Sequence, residues 1–116
     1  MYLSKKFICA SNEFCTFENH IPAPVFRKKV LWDNQYENIK LSICGLGYYK
    51  LYINGQDVTR GFLSSYTANP DNVLCYDVYD IKPYLQRGEN VFAVVLGNGF
   101  LNQPGGFIWG YDKADF

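Results

Sequence analysis

The sequence predicts an all-β fold, an antiparallel β-sandwich formed as a single domain over residues 1–116, and three observations carry that expectation. Apolar and polar residues alternate with a period of two through residues 39–44 and again through 48–53, the pattern of strands with one dry and one wet face. Aromatic residues make up 18% of the chain, with ten Tyr and nine Phe, and β-branched or aromatic residues dominate every apolar run, which favours sheet packing over a helical bundle. Asn54-Gly55 directly follows the second alternating run, and this dipeptide accepts the left-handed backbone angles of a type I′ turn. At 116 residues the chain has room for one real core but is short for an enzyme with a deep cleft.

Taken in order, residues 3–10 read as a short first strand. Residues 11–24 contain Asn12, Asn19, Pro22 and Pro24 without sustained periodicity, and read as a loop crossing the sandwich. Residues 25–32, VFRKKVLW, form the second strand. Val25, Arg27 and Lys29 lie on one side and Phe26, Lys28 and Val30 on the other, so neither face is purely apolar; this places the strand at a sheet edge, where charge discourages stray pairing. The runs flanking Gly45 and Gly47 read as a β-hairpin, polarity reverses again at Asn54-Gly55, and Val58 starts the return path. Residues 59–72 carry Gly61, Pro70 and several small polar residues, a loop from which Phe62, Leu63 and Tyr66 are expected to tuck onto the core.

Residues 73–79 are the next strand. Residues 80–88 then read as one helical turn, with Asp80 as N-cap, Pro83 early enough to be tolerated and Gly88 as the stop. Residues 91–96, VFAVVL, are apolar on both faces and belong in the middle of the fold. Phe107-Ile108-Trp109 is strand-like and apolar with no partner strand after it, and such a strand invites an intermolecular partner. There is no internal repeat and no low-complexity tract.

Eleven basic and eleven acidic side chains leave a formal net charge of zero, and the Arg27-Lys28-Lys29 triplet reads as a solvated strand face. Nucleic-acid binding is disfavoured, because phosphate neutralisation needs a basic excess on one face. No apolar segment approaches the roughly 20 residues that cross a bilayer, and the N-terminus has no secretory h-region or cleavage site, so the chain reads as cytoplasmic with no membrane partner. Cys9, Cys15, Cys44 and Cys75 are scattered without a C-x-x-C pair, which indicates reduced thiols and neither a zinc knuckle nor a thioredoxin-like site. Cys44 and Cys75 fall within strand patterns and read as small apolar sheet residues.

Three ordered stretches, GYYKLYINGQDV, YDVYDIKPYLQRGENVFAVVLGNGF and GGFIWG, resemble the N-terminal accessory domain of bacterial α-L-rhamnosidases, which are large inverting glycoside hydrolases. The strongest elements are residues 47–55, then Tyr76-Asp77-Val78 leading to Gly88-Glu89-Asn90, then Leu96-Gly97-Asn98-Gly99-Phe100, where family members often carry Trp at the last position. Pro24-Val25-Phe26-Arg27-Lys28 also looks like the family's entry strand. The resemblance implies a jelly roll similar to galactose-binding-like domains, beside an (α/α) barrel that supplies the catalytic acid and base. That barrel is absent from these 116 residues, and the chain is expected to stop before the domain's last strands, as a truncated N-terminal piece of a larger hydrolase that is itself inactive.

Inverting hydrolysis needs two carboxyl groups roughly 6.5 to 9.5 Å apart across the glycosidic bond. Asp77 and Asp80 are the nearest candidates, but Asp80 is more economically a cap and Asp77 a strand-face carboxylate, so no catalytic residue is assigned. His20, the one histidine, sits in a Pro-flanked loop with no nucleophile motif beside it. Sugar binding has better candidates, because sugar faces stack on aromatic rings while amides hydrogen-bond hydroxyls: Asn98, Phe100, Asn102 and Trp109 cluster in a glycine-rich stretch. Phe100 and Trp109 are equally explained as core or as a contact for the barrel, and the structural role is preferred.

No cofactor is assigned. Some accessory domains of the resembling family bind rhamnose through calcium, for which Asp71-Asn72 with Asn98 or Asn102 would supply oxygens; a turn after Pro70 is the preferred reading of Asp71-Asn72. The expected function is a noncatalytic substrate-positioning or carbohydrate-binding domain of an α-L-rhamnosidase, its partners a rhamnose-containing glycoside or the barrel. The competing reading is a stand-alone interaction module that forms a homo-oligomer through the unpaired C-terminal strand.

Overall fold

A computed structural model describes residues 6–13, 18–64 and 73–97. Its strands are β1 (Val25–Trp32), β2 (Lys40–Ile43), β3 (Tyr48–Ile53), β4 (Gln56–Asp57), β5 (Asp77–Asp80) and β6 (Gly88–Gly97), with a 3₁₀ turn at Lys82–Tyr84. They form two antiparallel sheets, one in the order β1-β6-β3-β4 and the other pairing β2 with β5. The all-β antiparallel expectation holds.

Alternation sets which side chains meet between the sheets. On β3, Tyr49, Leu51 and Ile53 are buried while Tyr48, Lys50 and Tyr52 are half-exposed. Pairing of Leu51 with Val94 and of Ile53 with Phe92 turns Phe92, Val94 and Leu96 of β6 the same way. From the small sheet, Leu41, Ile43 and Tyr79 face them, and Val58 and Ile81 complete the core. Complete burial of a side chain such as Leu51 or Ile53 contributes roughly 1.5–3 kcal/mol, so β3 anchors the sandwich.

β6 lies between β1 and β3, as its apolar sequence predicts, and β1 occupies the sheet edge with Arg27, Lys28 and Lys29 exposed. Asn54 and Gly55 adopt φ of 50° and 82°, the two left-handed residues expected of the type I′ reversal between β3 and β4. The expected turn after β5 is 3₁₀, with Ile81 at its N-cap; Asp80 Oδ1 still accepts a hydrogen bond from the Lys82 amide at 3.2 Å. Gly88, at φ 97°, opens β6.

Four expectations are corrected. The runs on either side of Gly45 and Gly47 do not pair as a hairpin: β2 joins β5 with Leu41 opposite Tyr79, whereas β3 joins β6 and β4. The intervening segment crosses between sheets, and it does so tightly, since a Cβ on Gly45 would lie 3.0 Å from the Gly47 carbonyl oxygen and 3.1 Å from Tyr49 Cδ1. A period of two identifies buried faces but leaves the pairing partner open. Lys6–Ala10 is irregular and exposed rather than a strand. Phe62 and Leu63 are exposed, because the Tyr49 amide bonds the Ser64 carbonyl at 2.8 Å and holds the loop at the sheet margin, with Phe62 beside Lys50. Residues 73–76 are irregular, and β5 begins only at Asp77, where pairing with Ile43 starts. Tyr66 and the strand expected at 107–109 lie outside the described residues.

Candidate functional site

One end of the sandwich gathers the start of β3, the start of β5, the end of β2 and the end of β6, since Tyr48 pairs with Gly97 and Ile43 with Asp77. Tyr49 sits in the inward phase of β3 and is 2% exposed, yet it carries a hydroxyl that must find a partner. It donates to Asp77 Oδ2 and lies 2.9 Å from the Tyr79 hydroxyl. Asp77 and Tyr79 occupy alternate positions on β5, so both point at the same place from the opposite sheet. Burial, then the hydrogen bonds to Asp77 and Tyr79, push the Tyr49 hydroxyl well above the ordinary tyrosine range, and it stays a proton donor.

Around this cluster, Arg60 lays its guanidinium 5.1 Å from the centre of the Tyr79 ring and donates to the Val78 carbonyl. Ser64 Oγ donates to the Arg60 carbonyl at 2.8 Å. Cys44 and Cys75 are free, half-buried thiols at the same end, and burial pushes the Cys44 thiol up, with Cys75 and Asp77 adding to the shift. The arrangement fixes the Tyr49 hydroxyl between one carboxylate and a second phenol. Among the described residues no second carboxylate lies across a gap from the first, and Asp80 falls on the opposite face of β5 from Asp77 and is exposed. Among the described residues no group of three or more His, Cys, Asp or Glu side chains converges as a metal site.

The model of the "Alpha-L-rhamnosidase N-terminal domain" family matches residues 34–115. The chain belongs to this family. An α-L-rhamnosidase of Formosa agariphila is 40% identical over 81 residues, covering 70% of this chain and 8% of that protein. The structure of α-L-rhamnosidase from Dictyoglumus thermophilum superposes with a TM-score of 0.68 at 33% identity, over 79% of this chain and 10% of that one. The native α-L-rhamnosidase of Aspergillus terreus gives a TM-score of 0.60 at 30% identity, over 63% and 8%. The chain thus spans about a tenth or less of the length of these relatives.

In this rhamnosidase N-terminal domain, the sugar-binding candidates Asn98, Phe100, Asn102 and Trp109 lie outside the described residues, as do Asp71 and Asn72. Gly97, the last described residue before Asn98, pairs with Tyr48 at this end. His20 is exposed in an irregular segment. The Tyr49–Asp77–Tyr79 cluster was not anticipated from sequence. Its signal is an acid two residues before a strand tyrosine, set against a tyrosine in phase with Leu51 and Ile53. Sequence reasoning also missed Asn90, which is fully buried at the far end of the sandwich.

Proposed function

We propose that the chain acts as a noncatalytic accessory domain of an α-L-rhamnosidase, helping to position terminal α-L-rhamnosides for a catalytic barrel carried elsewhere in the protein. The observation that supports this most is the family match across residues 34–115 in a chain that equals about a tenth of the rhamnosidases it resembles. A carboxylate that accepts from the Tyr49 phenol, with no second carboxylate facing it among the described residues, is chemistry for holding a fold or a hydroxyl rather than for cleaving a glycosidic bond. Loops at the Tyr49–Asp77 end are the proposed contact with sugar or barrel.

Hydrolysis of an aryl α-L-rhamnoside tests the reading. The chain alone is expected to show no turnover. Joined to a rhamnosidase barrel stripped of its own N-terminal domain, it is expected to raise kcat/KM or the melting temperature above that of the bare barrel. Turnover by the isolated chain, or a barrel indifferent to its presence, would overturn the proposal. A concentration-dependent oligomer in sedimentation, together with that indifference, would favour the interaction-module reading instead.

A further inference from the structure

The outer face of the four-stranded sheet has a shape that follows from its register. Outward positions on β6 are Val91, Ala93 and Val95, all short, ending at Gly97. The strands on either side present long side chains on the same face. Tyr52 and Arg27 both pair with Ala93, and Tyr48 pairs with Gly97. By this register a trough runs along β6, floored by small apolar groups, with Tyr48, Lys50 and Tyr52 on one wall and Val25, Arg27 and Lys29 on the other. Two strand spacings put the walls about 9.6 Å apart at the backbone, and the run from residue 91 to 97 is about 20 Å long.

The electrostatics of this face are uneven. Lys29 pairs with Glu89 at 2.9 Å and Lys50 with Asp57 at 2.7 Å, so both lysines are neutralised within the sheet. Arg27 is exposed and has no ion pair or hydrogen bond among the described residues. A planar, unpaired guanidinium on a trough wall matches a carboxylate, which it binds through two parallel hydrogen bonds. The phenol rings opposite offer their faces to a sugar's C–H surface. The floor covers roughly 200 Å², from the spacings above, whereas a stable protein interface buries about 800 Å² per partner. A thin chain fits these dimensions, and a folded protein does not.

We infer that this trough binds a uronate-containing oligosaccharide, with one carboxylate on Arg27 and sugar rings against Tyr52 and Tyr48. The site lies on the far side of the sheet from the core and requires only the folded sandwich, so it stands independently of the accessory role proposed above.

Titration calorimetry of the 116-residue chain at low salt, with hexagalacturonate and its fully methyl-esterified form as probes, tests it. Hexagalacturonate is expected to bind, and esterification or Arg27→Gln to weaken binding roughly tenfold or more, the scale of a lost charge-assisted hydrogen bond. Tyr52→Ala is expected to weaken it by a smaller factor, and Arg87→Gln, on the turn before β6, to leave it unchanged. Circular dichroism confirms that each variant is folded. No heat with hexagalacturonate, binding that survives both Arg27→Gln and Tyr52→Ala, or equal binding of polyglutamate, which would indicate an acidic peptide, each overturns the inference. Because the readout is binding by the chain itself, any of these results leaves the rhamnosidase reading untouched.

Discussion

The two ends of the sandwich solve the same problem, a buried polar group, with opposite chemistry. At the Asn54–Asn90 end, carboxamides bond mainly to backbone. Asn90 accepts from the Gln86 amide at 2.8 Å and donates to the Gln86 and Gly88 carbonyls at 2.7 and 3.1 Å. Asn54 donates to the Tyr84 carbonyl and to Asn90, and accepts from the Val91 amide at 2.9 Å. At the Tyr49–Asp77 end, side chains bond to each other across the two sheets. An amide that reads backbone fixes the path of the turns around it. A phenol that reads a carboxylate clamps two sheets together and leaves the adjoining loops to be set by other contacts. The first end fixes its turns by side chain to backbone bonds, and the second fixes its core by bonds between side chains of the two sheets.

Breaking each end separately measures that difference, and the largest effect is expected at Asn90. Asn90→Ala empties a fully buried position and removes partners from the Gln86 amide and carbonyl and from the half-buried Asn54 carboxamide. Each abandoned buried group costs roughly 1–3 kcal/mol, so a loss of about 3 kcal/mol or more is expected in urea denaturation. Tyr49→Phe deletes one hydroxyl at the other end and is expected to cost about 2 kcal/mol by the same reasoning, with the Asp77 carboxylate retaining some access to water. The pH dependence sharpens this. Because the folded state holds the Tyr49 hydroxyl above its ordinary value, its stabilisation is complete below the unfolded tyrosine value of about 10 and is lost as pH rises beyond it. Wild type is therefore expected to lose stability above pH ~10 more steeply than Tyr49→Phe. Parallel alkaline limbs would show that the cluster does not carry the effect.

Legibility divides along the same line. β1, the Asn54-Gly55 reversal and the central position of β6 were readable, because charge on both faces, a left-handed dipeptide and a doubly apolar run are each local signals. The partner of β2 was not. Leu41 and Ile43 announce a buried face equally well for a hairpin with β3 or a pairing with β5, and the choice depends on contacts more than thirty residues away along the chain. Tyr49, Asp77 and Tyr79 were each visible as strand residues, but their convergence exists only after the β2–β5 pairing brings the second sheet over β3. Asn90 was hidden for a related reason: in sequence it is the polar end of a Gly-Glu-Asn turn, and its burial comes from Asn54, 36 residues earlier. The family resemblance, resting on ordered motifs rather than pairings, was recoverable from sequence and is supported by the match at residues 34–115.

Two glycines compare the ends on a smaller scale. Gly45→Ala places a Cβ against the Gly47 carbonyl and the Tyr49 ring, and Gly55→Ala forces a φ of 82° on a residue with a Cβ. Each is expected to cost about 1 kcal/mol in denaturation. The former alone should also move the Tyr49 side-chain resonances, because it presses on that ring.

The smallest effect is expected at Asp57, just past the Asn54-Gly55 reversal, where the Lys50 ammonium and then the Thr59 amide hold the carboxyl below the usual range. A carboxyl held low in the folded state adds stability above its unfolded value of about 3.9 and surrenders it as pH falls through the folded one. Asp57 and Lys50 are solvated, so screening erases most of that gain, and Asp57→Asn is expected to leave the acid midpoint of unfolding within experimental scatter. The titration itself remains informative. In Lys50→Met the Asp57 carboxyl, followed by NMR, is expected to climb back toward the ordinary value while overall stability barely changes. A large stability loss in that variant would mean that the hairpin depends on this surface pair, and that the turns at its end of the sandwich are not fixed by Asn54 and Asn90.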